Sequence, residues 1–379
     1  MNFPRKRSCR CLNWMNDLDK NAGIYIHIPF CKKKCGYCDF YSLSSLSQKS
    51  EYIKALVNEI RNHESFPKIK SIYIGGGTPS VLSENEIYEI FKALNNKFNI
   101  DSNAEITVEV NPESVNKEFL NSLKHSGVNR ISMGIQSLKD NELSLLGRLS
   151  SAQMCINAYE SLILSGISNI SIDIMLAVPQ QDKESLEFTL KKVSELNPNH
   201  ISAYLLKLDN PADNNGLYEA PEEIQSELYL YTANFLKNLG YKHYEISNYA
   251  KEGFQSKHNL NYWNGGQYLA FGCGAYGFFN NTRYHIHPDI NEYINKNGMT
   301  DIVIDEIMTM ETLKEEKIIL KLRTAEGIEK SFLGEPQIRY LGSENLKLYV
   351  NESETSFSLT ERGFLVSNTI ISQVLKLSC

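Results

Sequence analysis

Three cysteines lie close together in the segment HIPFCKKKCGYCDF, residues 27–40, at the spacing C-x3-C-x2-C. Thiolates at Cys31, Cys35 and Cys38 can ligate three irons of a [4Fe–4S] cluster, which leaves the fourth iron without a protein ligand. Clusters that only carry electrons have four cysteine ligands, so an open iron indicates that a small chelating molecule binds there. The alternatives are a zinc site completed by His27 and an unrelated group of thiols. Zinc ribbons use two C-x2-C knuckles, and the sequence holds no second one, which favours the cluster.

The elements around this segment alternate between short apolar runs and longer amphipathic ones. Helical periodicity is clear at 50–61, 84–98 and 183–196, where apolar residues recur on one face. The apolar runs are rich in Ile, Val and Tyr, as buried parallel strands are. They lie at 23–28, 71–76, 105–110, 129–135, 169–175 and 200–206. Six strand–helix repeats predict right-handed crossovers and a parallel sheet, either open or closed into a partial barrel.

The placement of unusual residues favours the barrel. They fall at or just past the ends of successive predicted strands, namely Cys31, Gly75–Thr78, Glu109, Gln136 and Asp173. Barrel enzymes build their sites from residues around that rim, whereas an open sheet gathers them at one switch point. We therefore expect an α/β fold with a partial (β/α)6 TIM-like barrel.

The remaining segments predict a division into three parts. Residues 1–20, which contain Cys9 and Cys11, are expected to form a flexible leader. The barrel occupies 21–300, with an extension from about 210 that includes a helix at 222–239 and an aromatic, glycine-rich tract. Residues 301–379 predict a small α+β, winged-helix-like domain. It has a charged helix at 311–323 and strand-like LKLYV at 346–350, followed by a short strand, a turn at Gly363 and a terminal helix.

The composition is that of an ordinary globular protein with a mild negative charge. The chain of 379 residues has a net charge of −6 and a pI near 5.8, which argues against broad nucleic-acid binding. No stretch approaches the roughly 20 apolar residues that span a bilayer, and the basic N-terminus lacks the apolar region of a secretory signal. We therefore expect a cytoplasmic protein, whose cysteines are metal ligands or buried thiols rather than disulfides. The isolated Cys155, Cys273 and Cys379 are expected to be inert.

The cysteine segment YIHIPFCKKKCGYCDF resembles the signature of the radical S-adenosylmethionine (SAM) superfamily, in its coproporphyrinogen-oxidase-like branch. The resemblance covers about residues 23–370. It implies that Cys31, Cys35 and Cys38 bind a [4Fe–4S] cluster and that SAM chelates the open iron. It also implies a capacity to cleave SAM to a 5′-deoxyadenosyl radical, with electrons from a donor such as flavodoxin or ferredoxin. The sequence leaves open whether SAM is cleaved or merely bound.

The resemblance also implies a set of SAM-binding residues. IGGGTPS follows the second predicted strand, and Glu109 in EVNPE matches the carboxylate that binds SAM. Two tyrosines are expected near the cluster and the adenine. The full predicted set is Tyr25, Tyr37, Gly76, Gly77, Thr78, Glu109, Gln136, Arg148 and Asp173.

Within this branch two functions compete, an oxygen-independent coproporphyrinogen III oxidase and a haem chaperone that delivers haem to acceptor proteins. The oxidase carries a fourth cysteine where this chain has Phe40, and a long N-terminal extension, whereas this chain reaches its first predicted strand by about residue 23. KHNLNYW, 257–263, resembles a motif associated with haem binding in the chaperone group, which predicts that His258 contacts haem. The chaperone is therefore favoured, with haem-accepting proteins, including respiratory ones, as partners and a dimer as a candidate assembly.

Several residues depart from the family pattern. Ser150 and Tyr276 stand where histidines are common, and Ala177-Val178 replaces the usual Gly-Leu. His285 and His287 are candidate substitutes for the missing histidines at a porphyrin site. A radical SAM enzyme acting on RNA is a further alternative, which the acidic balance disfavours.

Overall fold

The protein is described here by a computed structural model that covers residues 21–63, 68–208 and 216–377. The predicted leader, with Cys9 and Cys11, and the terminal Cys379 lie outside the described residues. In the described ranges no helix combines the length and the apolar character needed to cross a membrane.

The centre of the fold is a run of six parallel strands that pair in sequence order. These strands are β1 (Ala22–Ile28), β2 (Ile69–Gly76), β3 (Ile100–Val110), β4 (Arg130–Gln136), β5 (Ile170–Leu176) and β6 (His200–Leu205). Ile24, Ile26 and Ile28 of β1 are fully buried, and they alternate along the strand with Tyr25 and His27, which line a cavity. The predicted partial barrel is confirmed, with strand bounds close to those expected.

Amphipathic helices cover the outside of these strands. They are α1 (Lys49–Asn62), α2 (Glu84–Lys97), α3 (Lys117–Ser126), α4 (Asp140–Leu145), α5 (Ala152–Leu164), α6 (Lys183–Leu196) and α7 (Glu222–Asn238). Several begin at a side-chain cap: Ser83 and Glu86 form a capping box at α2, and Asp182 accepts from the Ser185 amide at α6. The four helices predicted in this part of the chain, at 50–61, 84–98, 183–196 and 222–239, are therefore present with nearly the expected bounds.

The segment that follows α7 extends the sheet on both sides, which the sequence did not predict. It contains β7 (Lys242–Glu245), β8 (Asn248–Ala250), α8 (Lys257–Trp263), β9 (Tyr268–Phe271), β10 (Tyr276–Phe279), β11 (Thr282–Ile286), α9 (Ile290–Asn295) and β12 (Ile302–Ile307). β9 pairs parallel with β1, and β10, β11 and β12 continue antiparallel beyond it. β8 and β7 continue from β6 at the other end. The large sheet thus reaches Ile307, past the boundary expected at residue 300.

The C-terminal segment forms a small antiparallel sheet with flanking helices. Its elements are α10 (Met310–Lys321), β13 (Ile328–Glu329), α11 (Glu335–Leu341), β14 (Val350–Glu352), β15 (Ser356–Leu359), α12 (Glu361–Leu365) and α13 (Ser367–Lys376). Two local predictions are wrong: the strand begins only at Val350, and Gly363 lies inside α12 rather than in a turn. A Cβ on Gly363 would fall 2.0 Å from the Tyr349 carbonyl oxygen, so close packing explains this glycine. The winged-helix assignment and the domain division remain predictions.

Candidate functional site

The cysteine loop begins directly after β1 and is fixed by contacts from neighbouring strand ends. The Cys31 amide donates to the Leu43 carbonyl at 2.9 Å, and the Cys38 amide donates to the Cys35 carbonyl at 3.2 Å. The Thr78 hydroxyl, at the end of β2, lies 3.4 Å from Cys31 Sγ. Arg148 Nη1 lies 3.8 Å from Cys35 Sγ. Hydrogen-bond donors thus face two of the three sulfurs, which suits thiolates.

Burial raises the pKa of the Cys31 and Cys38 thiols, and the nearby Cys35 raises both further. A bound metal overrides such shifts, because coordination removes the thiol proton. In the described ranges no three His, Cys, Asp or Glu side chains form a site for a single metal ion. A [4Fe–4S] cluster takes each thiolate on a different iron, so its ligands need not converge on one point. Cys31, Cys35 and Cys38 can therefore serve as ligands to three irons of such a cluster.

Both ring nitrogens of His27, the candidate fourth ligand of a zinc site, are engaged in hydrogen bonds. Its Nδ1 lies 3.0 Å from the Tyr25 hydroxyl, and its Nε2 lies 2.7 Å from the Tyr41 carbonyl oxygen. Burial lowers its pKa, although the Tyr41 carbonyl acts in the opposite direction. Because both ring nitrogens are engaged, the alternative of a zinc site with His27 as a ligand is disfavoured.

A cavity of about 500 Å³ opens beside the cysteine loop, within the range of small-molecule sites. It brings together residues from β3, β4 and β5 with the cysteines, as the barrel prediction requires. Of the predicted site residues, its wall contains Cys31, Cys35, Tyr37, Cys38, Glu109, Gln136, Arg148 and Asp173. Tyr25 lies on the wall of a neighbouring cavity instead.

Gly76 and Gly77, at the end of β2, allow close packing against neighbouring groups of the protein. A Cβ on Gly77 would fall 2.7 Å from the Phe30 carbonyl oxygen and 2.8 Å from that of Ile28. Gly76 has a φ of +104°, and a Cβ there would fall 2.4 Å from the His27 ring. The Gly77 amide also donates to the Ile28 carbonyl at 2.9 Å. These glycines therefore hold the end of β2 against the cysteine loop, and their contact with SAM remains a prediction.

Two carboxyl groups on the cavity wall, those of Glu109 and Asp173, come from the barrel strands. Glu109 accepts from the Tyr73 hydroxyl at 2.8 Å and from the Gly76 amide at 3.2 Å. Burial raises the pKa of Glu109 to about 7, and it also raises the pKa of Asp173. Asp173 accepts from the Ser132 hydroxyl at 3.1 Å and lies within β5 rather than at its end. Both carboxyls can accept from the ammonium or ribose hydroxyls of a SAM molecule.

Three further polar atoms of residues on this cavity wall are buried without a hydrogen-bond partner in the described ranges. They are Oε1 of Gln136, whose φ is 70°, and the Nε atoms of Arg130 and Arg148. Such atoms are costly unless a ligand or water satisfies them. SAM has a carboxylate, which accepts hydrogen bonds, and other groups that donate them. A bound SAM molecule could therefore satisfy both the buried amide oxygen and the buried guanidinium N–H groups. The residues present therefore fit SAM.

Sequence reasoning missed several residues of the cavity wall. They are Asn111, Arg130, Ser132, Ser202, Tyr204 and Asn259. Arg130 carried a signal that was not used, since it opens the apolar run RISMGI and is almost fully buried. Charged residues are rarely buried without a role, so a charge at the start of a core strand marks a candidate site.

The neighbouring cavity has a volume of about 710 Å³ and is rich in aromatic side chains. Lys34, Asp39, Phe40, Tyr73, Glu109, Tyr204 and Asn259 line both cavities, so the two spaces adjoin. The second is further lined by tyrosines from β9, β10 and α8, and by three histidines: His27, His258 and His285. The cysteine loop thus stands between a polar cavity and a larger aromatic one.

His258, predicted to contact haem, is buried and fully hydrogen-bonded. Its Nδ1 lies 2.8 Å from Ser71 Oγ, and its Nε2 lies 2.7 Å from the Tyr262 hydroxyl. Its ring stacks on Tyr73 at 5.2 Å, and burial lowers its pKa to about 3. Iron ligation by His258 would require the ring to release one of these partners. The haem contact remains a prediction, and this geometry does not favour direct ligation.

The parallel strands, the cysteine loop and the polar cavity at the strand ends define a radical SAM barrel. The radical SAM superfamily model matches residues 25–193. The haem chaperone HemW of Bacillus subtilis (strain 168) is 34% identical over 373 residues, 93% of this chain and 98% of the relative. HemW of Lactococcus lactis subsp. lactis (strain IL1403) is 32% identical over 94% of this chain and 98% of the relative. The chain therefore belongs to the HemW family of radical SAM proteins.

A solved structure has the same fold over nearly the whole chain. The coproporphyrinogen III oxidase HemN from Escherichia coli, described as a radical SAM enzyme, matches with a TM-score of 0.80. The match covers 95% of this chain and 92% of HemN at 20% sequence identity, and it confirms the barrel. Membership of the radical SAM superfamily implies a [4Fe–4S] cluster and SAM.

Proposed function

We propose that this protein is a haem chaperone, which binds haem and delivers it to acceptor proteins. The observation that carries the proposal is the aromatic cavity of about 710 Å³ that adjoins the cysteine loop. A porphyrin is a large planar aromatic ligand, and tyrosine rings provide the faces and edges that pack against it. The relationship to the haem chaperones of B. subtilis and L. lactis extends over most of the chain and supports the same function.

The two cavities suit two separate tasks. In the polar cavity, Cys31, Cys35 and Cys38 would hold the cluster, and Glu109 and Gln136 would orient SAM beside it. When bound, the cluster and SAM supply reductive cleavage chemistry. Lys34, in the cysteine loop, lines the aromatic cavity, where its ammonium group would pair with a haem propionate. Haem bound there would stand next to the cluster site, because Lys34 and Phe40 line both spaces.

The partners and the location belong to the same proposal. The acceptors are haem proteins, including respiratory ones, and a flavodoxin or ferredoxin is the electron donor for the cluster. A cytoplasmic location and a dimer complete the proposal. Haem should pass from the haem-loaded protein to an added apo-acceptor. The rate of this transfer should change when the cluster is reduced and SAM is bound.

The deciding experiment compares two activities of the same anaerobically reconstituted protein. We expect stoichiometric haem uptake, seen as a Soret shift, and no vinyl product from coproporphyrinogen III. Vinyl product would overturn the chaperone function in favour of the oxidase, and absence of haem uptake would also overturn it. A triple Cys→Ala variant at positions 31, 35 and 38 should lose the broad iron–sulfur absorbance. Retention of that absorbance would contradict the cluster assignment.

A further inference from the structure

We propose that His285, oriented by Asp305, is the residue that ligates the iron of haem in the aromatic cavity. The inference rests on the proposed haem-chaperone function and names the ligand within it. It places iron ligation on the strands of the extension, β11 and β12, rather than on α8.

The sheet extension places His285 and Asp305 side by side. His285 lies on β11, opposite Tyr276 of β10 and Val303 of β12. The pairing of β11 with β12 shifts register between Arg283 and Tyr284, so Asp305 is an extra residue on β12. Asp305 Oδ1 lies 2.8 Å from His285 Nδ1.

This contact leaves the other ring nitrogen of His285 available. Hydrogen bonding of Nδ1–H to a carboxylate fixes the tautomer in which Nε2 carries a free lone pair. Within the described ranges Nε2 has no hydrogen-bond partner, and the side chain is 18% exposed on the cavity wall. Metal-ligating histidines very commonly have this carboxylate behind them, because it raises the basicity of the ligand.

The other two histidines of the cavity lack this property. Both nitrogens of His27 are engaged by Tyr25 and Tyr41, and both nitrogens of His258 are engaged by Ser71 and Tyr262. Among the cavity residues that the structure describes, His285 is therefore the histidine with a nitrogen available for iron.

The surroundings of His285 suit a porphyrin. The ring of Tyr276 lies 5.1 Å from the His285 ring, is tilted by 32°, and is 60% exposed. Tyr268 and Tyr262, which line the same cavity, contact each other edge to face at 4.5 Å. An iron ligand beside exposed aromatic faces can hold the metal while the rings pack on the macrocycle.

The test titrates ferric haem into the reconstituted protein and follows the Soret band and the resonance Raman signature of histidine ligation. We expect His285→Ala to lose that signature and to bind haem at least about tenfold more weakly. Asp305→Asn should keep the ligand but weaken binding by up to about tenfold, because the ligand becomes less basic.

His287→Ala is the matched control. His287 also pairs with a carboxylate, Glu292 at 3.0 Å, but it is 51% exposed and lies outside the cavity wall. We expect the haem affinity of the His287→Ala variant to stay within about twofold of that of the wild type. Added imidazole should restore the histidine-type spectrum of His285→Ala, which distinguishes a missing ligand from a misfolded protein.

The outcomes separate the inference from the function on which it rests. If the wild type takes up no haem, the chaperone function fails. If the wild type binds haem and His285→Ala keeps the signature and the affinity, the inference is overturned while the function stands. Loss of the signature in His258→Ala but not in His285→Ala would assign the iron to α8 instead.

Discussion

Arg148 and Cys35 connect the barrel to the cysteine loop, with Arg148 Nη1 lying 3.8 Å from Cys35 Sγ. The other end of the guanidinium is fixed, since Nη2 donates to the Gly134 carbonyl at 2.7 Å and to Asn111 Oδ1 at 2.8 Å. A positive charge is therefore held in place beside a thiolate by the ends of β3 and β4. Nearby charge and hydrogen bonds to sulfur are among the factors that set cluster potentials.

Replacing Arg148 by Ala should make the cluster harder to reduce. A reduced cluster carries more negative charge, so loss of a fixed cation lowers its reduction potential, by about 60 mV if the lost interaction is about 1.4 kcal/mol. A redox titration followed by electron paramagnetic resonance measures the change. Arg148→Lys, which keeps the charge but not the planar fork, should show a smaller decrease. Equal potentials for wild type and Arg148→Ala would show that the guanidinium does not act on the cluster.

Thr78 offers a second, neutral contact to the cluster ligands. Its hydroxyl lies 3.4 Å from Cys31 Sγ and accepts from Asn111 Nδ2 at 2.9 Å. Thr78→Val removes this donor at nearly constant volume, so the reduction potential should fall by a few tens of millivolts, roughly 1 kcal/mol or less. Thr78→Ser keeps the hydroxyl and is the matched control, with a potential close to that of the wild type. A fall of the same size in both variants would point to altered packing instead of the hydrogen bond.

The sequence predicted the parts of the fold that local pattern determines. The strands of the barrel are runs rich in Ile and Val, and α1, α2, α6 and α7 carry apolar residues at helical spacing, so these elements were predicted to within a few residues. The shared cavity of Cys31, Glu109 and Gln136 followed from a single rule, that parallel strands end at the same rim, whereas Asp173 lines the cavity from within β5.

Other features depended on contacts between distant residues, which no local pattern displays. The hydrogen bond at Nδ1 of His258 is made with Ser71, 187 positions away in the sequence. β9 joins the sheet beside β1, far from it in the chain, and its four residues are too few for a clear strand pattern. The pairing of His285 with Asp305 depends on a register shift, which only the folded sheet reveals.

Gly77 should be required for the approach of β2 to the cysteine loop. In Gly77→Ala the new Cβ would meet two backbone carbonyl oxygens, of Phe30 and Ile28, which cannot move independently of β1. We expect a loss of about 2–3 kcal/mol in the free energy of unfolding, measured by urea denaturation. Gly334→Ala is the control, because its nearest neighbours lie at an ordinary 3.7 Å, and its cost should stay near or below about 1 kcal/mol. Similar losses at both positions would contradict a specific packing role for Gly77.

Glu109 should make the free energy of unfolding decrease as the pH rises from about 4.5 to about 7. Burial raises its pKa in the folded protein to about 7, from an ordinary value of 4.5, so the fold favours the protonated carboxyl. Below pH 4.5 the group is protonated in both states and has no effect; between pH 4.5 and 7 stability is lost, and above pH 7 the loss is complete. Glu109→Gln mimics the protonated form and can still accept from Gly76 or Tyr73. The free energy of unfolding of the wild type, relative to this variant, should therefore fall by about 1–2 kcal/mol between pH 5 and pH 8, after allowance for partial solvent exposure.

The measurement for Glu109 is urea denaturation of the metal-free, SAM-free protein across this pH range. Glu51→Gln, which removes an exposed carboxylate in the first turn of α1, is the control for loss of a charge. Its stability relative to the wild type should vary little between pH 5 and pH 8. If the difference between wild type and Glu109→Gln is also constant with pH, Glu109 is ionised throughout and water must reach it in the folded protein. In that case the cavity would hold a fixed negative charge for SAM without any cost from burial, because solvation would already stabilise the carboxylate.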